Sequence, residues 1–325
     1  MNDERKTQRE KLLSQRKNGY DRVPAQEIPA MERYCSLYKT FLHQGKTERE
    51  CARVAVELAE KAGFKPYERG MELKPGDRIY RVNRGKSVML AVIGKQSLEK
   101  GAQIVAAHID SPRLDLKPNP LYEDGELAYF KTHYYGGIRK YQWVTIPLEL
   151  HGVVALRDGA SVQVNIGGGA DDPRLVITDL LPHLGAEQSR KPLGEAIPAE
   201  SLNILVGSRP LRDDEGSDRV KLSVLELLNR KYGIVEEDFL SAELCAVPAF
   251  RAVDRSLIGS YGHDDRGCAH AALAALLQLG TPERTAVCML ADKEEIGSEG
   301  VSGMKSRAFD TFMEDLCQSQ SVPLR

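Results

Sequence analysis

Three short stretches of this sequence bring together residue types that hold metal ions and move protons. The first is His108-Ile109-Asp110, directly after the apolar run Ala102 to Ala107. On a β-strand, side chains i and i+2 share a face. His108 and Asp110 would then project together at a strand's C-terminal end, where open α/β sheets gather their sites. A carboxylate beside a metal-bound imidazole fixes its tautomer and orientation; a His/Asp pair at a loop entrance, with no ligand, is the plain alternative. The second stretch, His263-Asp264-Asp265-Arg266, opens a helical pattern. An Asp there either caps the helix or offers its carboxylate to a cation. The third, Asp292-Lys293-Glu294-Glu295, follows the apolar run Thr285 to Leu290. Adjacent acids diverge along a strand, but in a turn one can hold a metal while its neighbour acts as general base on water. A charged surface loop is the commoner fate of such a run. Together the stretches supply one histidine and at least three carboxylates at strand ends, a set that suits a dinuclear site for zinc or a similar divalent metal.

The elements that must position these groups read as α/β at both ends of the chain. Glu48 to Ala62 has apolar residues at helical spacing, with Gly63 ending it. Ser87 to Ile93 and Ala102 to Ala107 read as strands. Ala269, Ala272, Leu273, Leu276 and Leu277 form a helical stripe, and Thr285 to Leu290 reads as a buried parallel strand. The middle has a different texture: alternating segments at Thr145 to Leu150, Ser161 to Ile166 and Leu175 to Ile177, with glycines and charged loops between them. The expected organisation is a discontinuous α/β domain over residues 1–118 and 254–325, interrupted by a mainly β domain over 119–253.

Composition narrows the function classes. The 325 residues carry a formal net charge of -2, which gives no general pull toward nucleic acid or anionic membranes. No stretch reaches the roughly 18 apolar residues needed to span a bilayer. The six cysteines are scattered without a CxxC pair, which argues against a disulfide framework or a cysteine zinc site and for a reducing, cytoplasmic setting.

The strings AAHIDSPRLDLKP, YYGGIRKYQW, GSYGHDDRGCAHAAL and DKEEIGSEG resemble the aspartyl aminopeptidase / vacuolar aminopeptidase I family, most closely its bacterial members. They occur in order along nearly the whole chain. The resemblance implies an α/β/α zinc-peptidase domain with an inserted assembly domain, peptide substrates with a free N-terminus, and a dimer-based homo-oligomer that reaches a dodecamer in the family. It implies two divalent ions, zinc or else manganese or cobalt. It also implies roles: His108 as a metal ligand, Asp110 as the carboxylate orienting it, Asp264 as the carboxylate bridging both ions, Glu294 as general base and Glu295 as a ligand of the second ion. His183, in Leu181-Pro182-His183-Leu184, resembles a substrate-contacting histidine that reaches a neighbouring subunit. The family pattern continues beyond the position of Arg325 with one more carboxylate and one more histidine ligand. The expectation is therefore of a C-terminally truncated member, with a catalytically inert assembly or regulatory subunit as the alternative function. A different two-zinc hydrolase, such as a carboxypeptidase or deacylase, is a second rival.

Overall fold

The computed structural model describes residues 3–14, 16–169, 172–254 and 256–323. Helix α1 (Asp3–Leu12) is polar, and its basic residues face solvent. Helices α2 (Ile28–Gln44) and α3 (Glu48–Lys61) follow. The Thr47 hydroxyl accepts from the Glu50 N–H while the Glu50 carboxylate accepts from the Thr47 N–H. This capping box satisfies two donors that the helix itself cannot. Of the apolar residues at helical spacing, Ala52, Val54, Ala55 and Ala59 are buried and Leu58 is half-buried, with Cys51 buried beside them.

Strands β1 (Lys65–Pro66), β2 (Arg78–Asn83), β3 (Ser87–Val92) and β4 (Gln103–His108) precede β5 (Arg113–Asp124) and β6 (Leu127–Tyr135). Then come β7 (Leu148–Ala155), β8 (Ser161–Ile166), the short α4 (Leu193–Ala196), β9 (Ile204–Gly207), α5 (Arg219–Tyr232) and β10 (Ala242–Pro248). The chain ends with β11 (Val253–Asp254), β12 (Ile258–Gly259), α6 (His263–Gln278), β13 (Ala286–Ala291) and α7 (Ala308–Ser319).

The first sheet has the order β1-β2-β3-β13-β4. Strand β13 runs antiparallel to β3 and parallel to β4. Both β3 and β13 are buried on two faces, which explains their unbroken apolar runs. Val88, Leu90, Cys288 and Leu290 pack with α3 and with Ala269, Leu273 and Leu276 of α6. The opposite face, Met89, Ala91, Val287 and Met289, packs on Phe312 and Leu316 of α7. The result is the expected α/β/α layering. Strand β4 lies at the sheet's margin, with Ile104 and Val105 half exposed.

The second sheet is antiparallel and curled, in the order β8-β7-β10-β5-β6-β9. Its core includes Leu114, Phe130, Leu148, Leu150, Val164 and Leu244, closed by Val220 and Leu228 of α5. The chain changes sheets between His108 and Arg113, ahead of Pro118, so β5 belongs wholly to the second sheet. The alternating run from Thr145 becomes regular only at Leu148, because Thr145 takes a left-handed φ of 64°. Leu175 and Val176 make isolated bridges to Leu148 and Leu205 and form no strand of their own.

A buried polar cluster joins α3 to the second sheet. His151 of β7 binds Glu50 of α3 at 2.8 Å and Glu149 of β7 at 2.9 Å, one carboxylate on each ring nitrogen. Burial alone would lower the His151 pKa, but the two carboxylates outweigh it and lift it to about 9. Lys46 and His43 lie close enough to bear on the same cluster. A histidine whose pKa is raised on folding stabilises fully below its unfolded value, about 6.5, and that contribution is lost as pH rises through the folded value. The chemical-denaturation midpoint should therefore fall between about pH 6.5 and about pH 9. His151→Gln should lower the midpoint and flatten that slope; an unchanged slope in the variant would assign it to other groups.

Candidate metal centre

The register of the parallel pair β4/β13 sets the site. His108 lies opposite Ala291, so both strands end at the same level and their following turns meet. After β13, Lys293 takes a left-handed φ of 73°, uncommon for a residue with a side chain. Together with Gly297 at 83°, it folds residues 293–298 into a tight turn closed by the Gly297 N–H to the Glu294 carbonyl at 2.8 Å. That turn aims two successive N–H groups at Asp110: Glu294 N–H to Oδ1 at 3.1 Å and Glu295 N–H to Oδ2 at 3.2 Å. A strained backbone at a cluster of acids is a recurrent feature of functional sites.

Asp110 is the hub of the cluster and is fully buried. Burial pushes its carboxyl up, yet His108, the Tyr135 hydroxyl and the two N–H groups together hold it below the usual carboxylate range. The His108 Nδ1 lies 3.5 Å from Asp110 Oδ1 and 3.2 Å from the Asp110 carbonyl oxygen. Contact with the Asp110 carboxylate lifts His108 to about 9, against burial, and the charge of Asp265 adds to the rise.

His108, Asp265 and Glu295 each offer one ligand atom, and these atoms lie within 4.8 Å of one another. Among the described residues, Asp265 Oδ1 is buried without a hydrogen-bond partner. Burial first, then Asp265 and Asp110, pushes the Glu295 carboxyl up to about 7. An orphaned buried oxygen and crowded carboxylates are what a divalent cation would satisfy, and imidazole with carboxylate is a donor set zinc accepts. The residues present fit such an ion. Glu294 stands on the open side, 58% exposed, its Oε2 3.8 Å from His108 Nε2.

The structure places His108, Asp110, Glu294 and Glu295 in one cluster. It does not bring in Asp264, which is exposed on the first turn of α6. Asp265 enters instead, because successive helical residues are rotated by about 100°. Only Asp265 lies on the buried stripe that continues through Ala269 and Leu273. Extending the apolar stripe back by four residues would have pointed to it. His183 is exposed in a loop and makes no hydrogen bond or ion pair with the cluster among the described residues. His263 is engaged elsewhere, its Nδ1 2.9 Å from the Tyr38 hydroxyl. Two further participants carry no mark of their role in their residue type: Tyr135, which donates to Asp110 Oδ2 at 2.7 Å, and Gly136, packed on Glu295.

A largely buried histidine–carboxylate cluster thus lies at the ends of the parallel strands β4 and β13, with the Glu294 carboxylate on its open side. The sequence profile described as Aminopeptidase I zinc metalloprotease (M18) matches residues 41–322, and the chain belongs to that family. It is 45% identical over 313 residues to the "Probable M18 family aminopeptidase 1" of Clostridium acetobutylicum, covering 94% of this chain and 67% of that one. The crystal structure of the M18 aminopeptidase from Thermotoga maritima superposes with a TM-score of 0.88 at 41% identity, over 96% of this chain and 68% of that one. The Saccharomyces cerevisiae mApe1 dodecamer shares the fold at 20% identity and a TM-score of 0.67, over 89% and 67% of the two chains. The chain therefore spans about two thirds of the length of the relatives it matches. Among the described residues, no helix is long and apolar enough to cross a membrane.

Proposed function

We propose that this chain carries the metal-holding part of an aminopeptidase that removes N-terminal residues from peptides. One observation carries the reading. His108, Asp265 and Glu295 converge in one cluster, and Glu294 stands beside it on the open side. In this reading Asp265, on the first turn of α6, would hold the metal together with His108 and Glu295. Zinc bound here would polarise the scissile carbonyl and acidify a water molecule. The protein's own residues do the rest. Asp110 fixes the His108 ring and, through the Glu294 and Glu295 N–H groups, the turn that bears the base. Glu294 takes the proton of the attacking water and returns it to the departing amine nitrogen. His183, on its exposed loop, is proposed to contact substrate in a neighbouring subunit of a homo-oligomer.

The test is zinc analysis of the purified protein beside hydrolysis of a peptide with a free N-terminus and its N-acetylated counterpart, with zinc, manganese or cobalt added. Metal-dependent release of the first residue from the free peptide alone is the expected result. Preference for the blocked peptide would move the reading to a deacylase or another two-zinc hydrolase. Zinc uptake with no turnover of either peptide would favour an assembly or regulatory subunit.

A further inference from the structure

The second sheet reaches into the proposed metal centre at one place only among the described contacts, the end of β6. Tyr135, its last residue, is buried, and its hydroxyl donates to Asp110 Oδ2 at 2.7 Å. Two cations lie against the ring, the Arg113 guanidinium 4.0 Å from its centroid and the Lys293 ammonium at 5.2 Å. Arg113 is itself fixed, bonded to Glu48 at 2.9 Å and Asp115 at 2.7 Å. The next residue, Gly136, has a φ of 70°, and a Cβ built there would come within 2.8 Å of Glu295 Oε2. One strand end thus fixes the carboxylate that orients His108 and lies closely against a proposed ligand.

We infer that Tyr135 is a positioning residue for the metal centre, acting from the second sheet through Asp110, with Gly136 setting the place of Glu295. The inference rests on the metal-centre reading above. Asp110 Oδ2 has two donors, the Tyr135 hydroxyl and the Glu295 N–H, while Oδ1 faces the Glu294 N–H and His108. Without the hydroxyl, one oxygen of a fully buried carboxylate keeps a single N–H. The carboxylate is then held less firmly, and the common reference it gives His108 and the turn bearing Glu294 and Glu295 is loosened. The second sheet is on this view part of the centre as well as a platform for assembly.

Zinc titration by calorimetry of the wild-type chain, Tyr135→Phe, Gly136→Ala and the neighbouring control Tyr134→Phe tests this. Tyr134 is exposed and, among the described residues, makes no hydrogen bond to the cluster. Circular dichroism and denaturation midpoints are taken on the same samples. Partners that orient metal ligands are worth roughly 10- to 100-fold in affinity. Tyr135→Phe and Gly136→Ala should each weaken zinc binding by about 10-fold or more while folded, with Tyr134→Phe unchanged. Cobalt absorption bands should shift in the two affected variants, a change that a purely structural tyrosine would not produce. Wild-type affinity in either folded variant would overturn that residue's role, and Gly136→Ala keeps the test open should Tyr135→Phe not fold. Failure of the wild-type chain itself to bind zinc would overturn the metal-centre reading and this inference with it.

Discussion

Replacing Glu294 by Gln should lower peptide hydrolysis by about 100-fold or more, the typical span of a positioned general base, while leaving bound zinc unchanged. The two outcomes separate because the structure gives the adjacent acids different surroundings. Glu295 is packed against Gly136 and crowded by Asp265 and Asp110, whereas Glu294 is 58% exposed and faces only the open side of His108. A glutamine at 294 keeps the backbone N–H that anchors the turn to Asp110, so the geometry of the cluster survives. It loses only the capacity to take a proton. Loss of zinc in this variant would show that the ligand and base roles of Glu294 and Glu295 are exchanged.

The helix start gives the second large effect. Asp265→Ala should reduce zinc affinity by more than about 100-fold, above the range for groups that merely orient ligands, and Asp264→Ala by much less. Among the described residues, Asp265 Oδ1 is buried without a hydrogen-bond partner and 4.0 Å from His108 Nδ1, whereas Asp264 is exposed. Removing Asp265 would also relieve the crowding that pushes Glu295 up, so the apo protein should not be destabilised in proportion to the lost affinity. Metal affinities measured for both single variants decide the matter. The opposite ranking would return the shared-carboxylate role to Asp264.

Much of this site is legible in the chain because its parts are local. The His108-x-Asp110 pair and the Glu294-Glu295 turn each follow an apolar run, and strand periodicity with strand-end placement is enough to bring them together. The helix stripe and the strand at residues 286–291 are legible for the same reason: their apolar patterns are unbroken. What local pattern does not carry is rotation about a helix axis at its first turn, where caps and ligands have the same composition. The Asp264/Asp265 distinction depends on which residue faces β4, and only the stripe extended from Ala269 encodes that. Tyr135 was hidden for another reason. Its partner lies in a different sheet, and a tyrosine before two glycines announces a turn rather than a hydrogen bond to a buried carboxylate. The start of the second sheet at Arg113 is likewise obscured, because Arg113 and Asp115 are charged residues in a strand, and the burial of Arg113 depends on its bonds to Glu48 of α3 and to Asp115.

The position of β4 has a consequence for how the centre is held. The strand that ends in His108 is bonded to β13 on one side, with Ile104 and Val105 half exposed, so it forms the sheet's outermost seam. Segments with few buried contacts and solvent-facing amides open at the lowest free energy in a fold. Deuterium would therefore enter β4 sooner than the doubly covered β3 and β13. His108 is the link between this breathing seam and two firmer bodies, the first turn of α6 and the turn after β13. An ion gripping all three would act as a rivet, and its occupancy would be recorded as slowed exchange along β4.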